Sequence, residues 1–273
     1  MRLDAHQHYW VYSPDQYPWM QAGWPIRRDF LPEDLAPLLA AGRLDGTIAV
    51  QARQTLDENH FLLELADRHA SIRGVVGWVD LRSARVDEQP AEFARHDKFV
   101  GVRHVVQDEP DDEFLLGGDF VRGIGRLRHY GLTYDLLIYP RQLPAAIRLV
   151  EQFPEQPFVL DHIAKPFIRA GQLSPWREQL VQLARAPNVL CKVSGMVTEA
   201  AWDAWRAADF RPYLDVVAEA FGAERLMFGS DWPVCTLAAS YGQVLALAED
   251  CFASWSDPER AAIFGGNAAR FYL

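Results

Sequence analysis

Short runs rich in Val, Ile, Leu and aromatic residues recur along the chain, and longer stretches between them space their apolar residues three or four apart. The short runs predict strands near residues 2–8, 46–51, 73–79, 98–105, 132–138, 157–162, 188–193 and 225–230. The intervening spacing predicts helices. Phe61, Leu62, Leu65 and Ala66 form one stripe between Asn59 and His69. Leu180, Val181, Leu183 and Ala184 are expected to face inward between Arg177 and Ala186, and Tyr213 and Leu214 start a stripe that runs on to Phe221. Ser174-Pro175 before Trp176 reads as an N-cap followed by proline in the first turn. Gly131 reads as a helix stop, and Pro187-Asn188 separates a helix from the next strand.

Strand and helix therefore alternate through eight units, which implies parallel strands with right-handed crossovers. Eight units favour a single-domain (β/α)8 barrel of the α/β class spanning residues 1–273. An open doubly wound sheet is the alternative, but that fold places a glycine-rich turn after its first strand. Here the first strand runs into His6-Gln7-His8-Tyr9-Trp10. No Gly/Ser linker and no internal repeat divides the chain.

Chemistry in such a barrel sits at the carboxyl ends of the strands. Those ends carry His6 and His8, then Gln51 and Arg53, Trp78 and Asp80, Arg103 and His104, Asp135, Asp161 with His162 and Lys165, Lys192 and Ser194, and finally Asp231 and Trp232. Polar groups at one end of apolar strands are costly unless paired or wet, so their recurrence at nearly every strand end marks a site. His6 and His8 are two residues apart on a strand and point the same way. Imidazole is both a common metal ligand and a proton carrier at neutral pH. Arg103 and His104 have opposite parity, so one of them faces away from the barrel axis. Each residue also has a plainer reading: Asp231 as a turn cap, His162 as a bonded core histidine, Arg103 as a structural ion-pair partner, and Trp78 and Trp232 as packing.

Composition narrows the partners. The 273 residues carry a net charge of −10, which argues against a nucleic-acid partner. No apolar run is long enough to predict a membrane span, and no leader pattern stands at the N-terminus. Cys191, Cys235 and Cys251 are odd in number and unpaired in spacing, which points to a reducing cytoplasmic compartment. Nothing in the sequence speaks to oligomeric state.

Four landmarks in order, Asp4-Ala5-His6-Gln7-His8, Asp161-His162-Ile163-Ala164-Lys165-Pro166, Gly229-Ser230-Asp231-Trp232-Pro233 and Ile263 to Tyr272, resemble the amidohydrolase superfamily. Asp29 to Leu35, Gly74 to Leu81, Gly101 to His104 and Tyr9-Trp10-Val11-Tyr12 are similar to its sugar-lactonase branch, which hydrolyses aldonolactones such as L-fuconolactone and L-rhamnonolactone. The resemblance implies a lactonase acting on a small sugar lactone, with L-fuconolactone the first choice. It implies at most one divalent ion, zinc foremost, held by His6, His8, His162 and Asp231. Relatives in this branch can look like metal enzymes and work without metal, so occupancy and necessity are separate questions. Neither Arg103-His104 nor Asp135 supplies the lysine bridge or strand-five histidine of binuclear members.

Opening a lactone needs an activated water, a polarised carbonyl and a proton for the departing ring oxygen. Asp231 is the expected base, with His162 and His104 as its catalytic companions. Arg103, Gln51, Trp78, Trp10, Lys165 and Trp232 are the expected substrate contacts, and the aromatic loop from Tyr9 to Pro25 is a candidate ring-stacking cover. Three rivals share part of this pattern: a decarboxylase of an aromatic or unsaturated acid, a lactonase of a pyrone dicarboxylate, and a silent barrel that senses a sugar acid. An acidic substrate calls for more arginines at the strand ends than Arg53 and Arg103.

Overall fold

The computed structural model describes residues 1–273. Its eight strands are β1 (Leu3–Gln7), β2 (Gly46–Val50), β3 (Ile72–Gly77), β4 (Phe99–His104), β5 (Thr133–Leu136), β6 (Phe158–Leu160), β7 (Val189–Val193) and β8 (Leu226–Phe228). Every strand boundary lies within two residues of the sequence-based expectation. Neighbours pair in parallel in the order β1 to β8. The circle closes just beyond the end of β8, where Gln7 bridges Trp232. There Asp231 N donates to His6 O at 2.8 Å and His8 N to Trp232 O at 2.7 Å.

Ten α-helices accompany the strands: α1 (Pro32–Gly42), α2 (Leu56–Arg68), α3 (Glu88–Phe93), α4 (Gly118–Leu127), α5 (Leu143–Gln152), α6 (Trp176–Leu183), α7 (Ala207–Phe221), α8 (Tyr241–Cys251), α9 (Asp257–Ala261) and α10 (Asn267–Tyr272). Gly131 takes φ 70° at the end of the turn that follows α4, as its stop role requires. Two local expectations fail. Val181 is 40 % exposed, because a residue next to the buried Leu180 is swung about 100° round the helix. Ser174 makes no cap; Pro175 holds the N-cap position of α6, without a side-chain hydrogen bond.

Two apolar layers result. The larger lies between barrel and helices. The smaller fills the barrel with Leu3, Ala5, Ile48, Val50, Val76, Val100, Val159 and Met227, and Ala268 and Tyr272 of α10 plug it from below. Leu3 and Ala5 point inward, so strict alternation would send His6 outward. The β1–β2 register shifts between Asp4 and Gln7. That bulge resets the parity, so His6 and His8 face the axis while Gln7 turns out to donate to Thr47 Oγ1 at 3.0 Å.

Candidate active site

Above the apolar plug lies a buried charged layer. Lys192 Nζ sits 2.5 Å from Asp135 Oδ2 and 3.0 Å from Asp161 Oδ1. Tyr272 reaches up from α10 and donates its hydroxyl to Asp135 at 2.9 Å. Arg103 Nη1 donates to Asp161 Oδ2 at 3.1 Å, and Nη2 donates to the backbone and side-chain oxygens of Gln51. His6 lies between the two cations, with Arg103 Nη1 3.2 Å from its Nε2 and Lys192 Nζ 3.2 Å from its Nδ1. Burial, opposed by Asp161 and reinforced by Lys192 and Arg103, holds the His6 imidazole neutral, far below its ordinary pKa.

The next layer up is centred on Asp231. Its Oδ1 lies 3.3 Å from His8 Nε2 and 3.8 Å from both His6 Nε2 and His162 Nε2. His8 Nδ1 meets Val50 O at 2.8 Å, which fixes the proton on Nδ1 and aims Nε2 at Asp231. His162 Nδ1 meets Ser194 Oγ at 2.8 Å. Burial pushes the Asp231 carboxyl up, but His162, His8 and Lys165 outweigh it and hold it below the usual carboxylate range. Asp231 is therefore ionised at neutral pH, and burial keeps His162 neutral against its pull.

These converging acceptor atoms suit a cation. His6, His8 and Asp231 bring one ligand atom each within 4.8 Å of one another. Tetrahedral zinc with bonds of about 2.0–2.1 Å spaces its ligand atoms roughly 3.4 Å apart. The contacts to Asp231 match that spacing, so His6, His8 and Asp231 can hold one ion; His162 comes to 3.8 Å from Asp231 but groups its ligand atom with His6 and Asp161 instead. Arg103 already shares the His6 Nε2 lone pair and would have to yield it.

Strained backbone builds this corner. His162, Ile163, Ala164 and Lys165 all adopt positive φ, from 48° to 59°, and Asp231 does so at 57°. Such non-glycine conformations cost about 1–2 kcal/mol each and cluster at functional sites. Here they let β6 end abruptly, with both His162 and Lys165 turned to the mouth. Gly195 leaves room for the ring: a Cβ there would lie 2.4 Å from His162 Nδ1, and its φ is 59°. Gly195→Ala is expected to lower kcat/KM about 100-fold by displacing His162, on the scale of a 1 Å misplacement. Steady-state kinetics beside a thermal melt would check it, and wild-type turnover would show that the ring tolerates the push.

Several expected residues stand elsewhere. His104 is turned away from Asp231: Nε2 meets Glu109 at 2.7 Å, Nδ1 accepts from the Trp78 indole at 3.3 Å, and the ring stacks on Phe114. It carries no part of the catalytic cluster, because Arg103 takes the inward parity. Trp78 is committed to that outer pair. Trp10 is fully enclosed, donates to Arg28 O and lies 6.5 Å from the His8 ring, so it backs the histidine and leaves no face for substrate. Trp232 is 2 % exposed and packs on Phe30 and Tyr9. Gln51 and Arg103 are likewise enclosed and hold each other. Of the expected substrate contacts, Lys165 alone stands half-open at the mouth without such a commitment. In the aromatic loop, Tyr9 and Tyr17 are buried and Trp19 is 41 % exposed. Sequence reasoning stopped at Ser194 and passed over Tyr139, whose ring centre lies 5.5 Å from the Lys165 ammonium, and Glu199, in the turn after β7. Only their distance past a strand end could have signalled them.

The chain matches the amidohydrolase family from residue 3 to residue 273. It belongs to that family. An L-fucono-1,5-lactonase of Burkholderia multivorans is 46 % identical, covering 100 % of this chain and 96 % of the relative. One of Burkholderia ambifaria is 41 % identical, covering 99 % and 95 %. A crystal structure of a B. multivorans amidohydrolase with bound zinc superposes with a TM-score of 0.95 at 46 % identity, over 100 % of this chain and 99 % of that one. The buried histidine–aspartate groups found here thus lie at the mouth of an amidohydrolase barrel, with Lys192 and Arg103 in the charged layer beneath Asp231.

Proposed function

We propose that this amidohydrolase opens L-fucono-1,5-lactone, or a closely similar aldonolactone, to the sugar acid. The observation that carries the reading is 46 % identity over the whole chain to a lactonase of that substrate. The arrangement around Asp231 supports it, because an ionised carboxylate ringed by three imidazoles has the components for lactone hydrolysis.

Asp231 accepts a proton from the attacking water, whose oxygen bonds to the lactone carbonyl carbon. The ring C–O bond then breaks, and the proton held by Asp231 passes to the departing ring oxygen. Negative charge on the carbonyl oxygen is met by Lys165 at the mouth and by His162 with its proton on Nε2, since His6 Nε2 accepts from Arg103 and His8 holds its proton on Nδ1. His8 and His162 keep their orientation because Val50 O and Ser194 hold their Nδ1 atoms. A divalent ion bound by His6, His8 and Asp231 would supply Lewis-acid polarisation of the carbonyl or its water. The enclosed Trp10, behind the His8 ring, and Trp232, against Phe30 and Tyr9, exclude solvent from that side of the cluster.

The cysteines are all unpaired, two of them buried, in keeping with a reducing cytoplasm. No helix is long and apolar enough to cross a membrane.

A pH-indicator assay on an aldonolactone panel, using metal-stripped protein with and without added zinc, tests the function. Proton release with L-fucono-1,5-lactone is the expected result. Turnover that needs zinc gives the carbonyl to the ion; equal turnover leaves it to the side chains. Silence on every lactone, or carbon dioxide release from an aromatic acid, would overturn the reading in favour of a decarboxylase.

A further inference from the structure

Asp4 opens the same short motif as His6 and His8, yet the chemistry described so far leaves it without a task. Its side chain is fully buried. Oδ1 accepts from His6 N at 3.1 Å and from Ser230 N at 2.9 Å, and Oδ2 accepts from the Tyr241 hydroxyl at 3.1 Å. All three donors are neutral, and a carboxylate buried among neutral donors is costly. This one joins β1, the residue before Asp231 and the first residue of α8.

Its position matters because of how the barrel closes. The other neighbouring strands are held by parallel ladders, whereas β8 and β1 meet only through the bridge from Gln7 to Trp232. The site straddles that seam, with His6 and His8 on one side and Asp231 on the other. On the β1 side, the bond from His6 N back to Asp4 is an Asx turn. It falls in the stretch where the β1–β2 register shifts and His6 turns to the axis. On the β8 side, Asp231 holds φ 57°, a conformation that persists only where its surroundings enforce it. The bond from Ser230 N to Asp4 anchors the chain one residue before that strained position. Gly229 lets the segment press close, since a Cβ there would lie 2.6 Å from His6 Cβ. A single oxygen therefore grips both edges of the seam.

We infer that Asp4 is a positioning residue for the reaction: its Oδ1 clamps β1 to the end of β8 and so sets Asp231 at its working distance from His6 and His8. The inference rests on the lactonase reading for its assay substrate and deepens it by naming what holds the base in place.

Asp4→Asn keeps an oxygen for both N–H groups. Asp4→Ser keeps only the local bond to His6 N, as a serine turn does, because its shorter side chain falls short of Ser230 N. The test measures kcat and KM on L-fucono-1,5-lactone well below each melting temperature, with rates taken per folded molecule. Asp4→Asn is expected to hold kcat within about threefold, and Asp4→Ser to lose about tenfold to hundredfold in kcat at nearly constant KM, the upper figure matching a 1 Å misplacement. A purely structural Asp4 would lower the melting temperature and leave kcat per folded molecule unchanged, which would overturn the inference. Equal losses in both variants would also overturn it, by assigning the effect to charge. If Asp4→Ser does not fold, Tyr241→Phe, which releases Oδ2 alone, takes its place. A loss in kcat of about threefold or more at constant KM then supports the clamp, and an unchanged kcat overturns it. A wild type inert on every lactone removes the lactonase reading and this inference together. An active wild type whose kcat survives Asp4→Ser removes this inference alone.

Discussion

Asp231→Asn is expected to fold as the wild type does and to lose about 100-fold to 10,000-fold in turnover, the range for a positioned acid–base group. The amide keeps the size of the carboxylate and the backbone bond from Asp231 N to His6 O that closes the barrel. It cannot take a proton from water. It also removes the negative charge that three imidazoles face at 3.3 to 3.8 Å. The same substitution weakens any cation held there, because a neutral oxygen replaces the only anionic ligand in the cluster of His6, His8 and Asp231. Single-turnover and steady-state rates, measured beside a thermal melt, separate the effects. Retention of more than about a tenth of wild-type turnover would sink the assignment of Asp231 as base, since even weak general bases contribute more.

Lys192→Met is expected to produce the largest loss of stability. Lys192 is fully buried and holds two carboxylates, Asp135 and Asp161, at 2.5 and 3.0 Å. Methionine fits the space but leaves those carboxylates facing each other, with only Tyr272, Arg103 and His6 as partners. Breaking one side of a buried ion pair costs about 3–5 kcal/mol. At roughly 2–4 °C per kcal/mol for a chain of this size, the melting temperature should drop by about 6–20 °C. The loss should depend on pH. Burial raises the Asp135 carboxyl to about 6 even with Lys192 pulling it down. Without the lysine it rises further, so the folded variant binds a proton more readily than the unfolded chain does. A group raised in this way favours folding at low pH and loses that contribution as pH rises through its folded value. The deficit of Lys192→Met relative to wild type should therefore be deeper at pH 8 than at pH 5. Adding Asp135→Asn should restore part of the loss, because the second change removes the stranded charge. A melting temperature within about 2 °C of wild type at pH 8 would contradict this account.

These two residues also show how unevenly the site could be read. Asp231 stood out because it follows an apolar strand and precedes Trp-Pro. Lys192 reads as a strand-end cation that neutralises some nearby carboxylate, but the sequence does not say which, and its partners are 57 and 31 positions away in the chain. Asp135 had no visible companion at all. The pairing arises because β5, β6 and β7 are adjacent and put these positions at one height on the barrel axis. The His104 expectation failed for a related reason. Alternation says that one of Arg103 and His104 faces inward, but not which, until the register of β4 against β5 sets it. Its place in an aromatic loop makes Trp10 read as a substrate contact. The antiparallel bridge from Trp10 to Phe30 folds it under that loop instead.

What the sequence determined by itself was local and periodic: eight apolar strand segments, the helices between them, the parallel barrel that such alternation demands, and the shared face of His6 and His8. These follow from side-chain periods of two and 3.6 residues, which act over a few positions. Tertiary structure decided the rest. The bulge in β1 turned His6 inward against the parity of Leu3 and Ala5. Four left-handed residues after β6 brought His162 and Lys165 to the mouth, although each carries a side chain that opposes that conformation. Closure beyond β8 set Asp231 against His6 and against His8 just past the end of β1. Only the contacts of the assembled barrel can compensate strain and buried charge of this kind, and those contacts join residues that no local pattern connects.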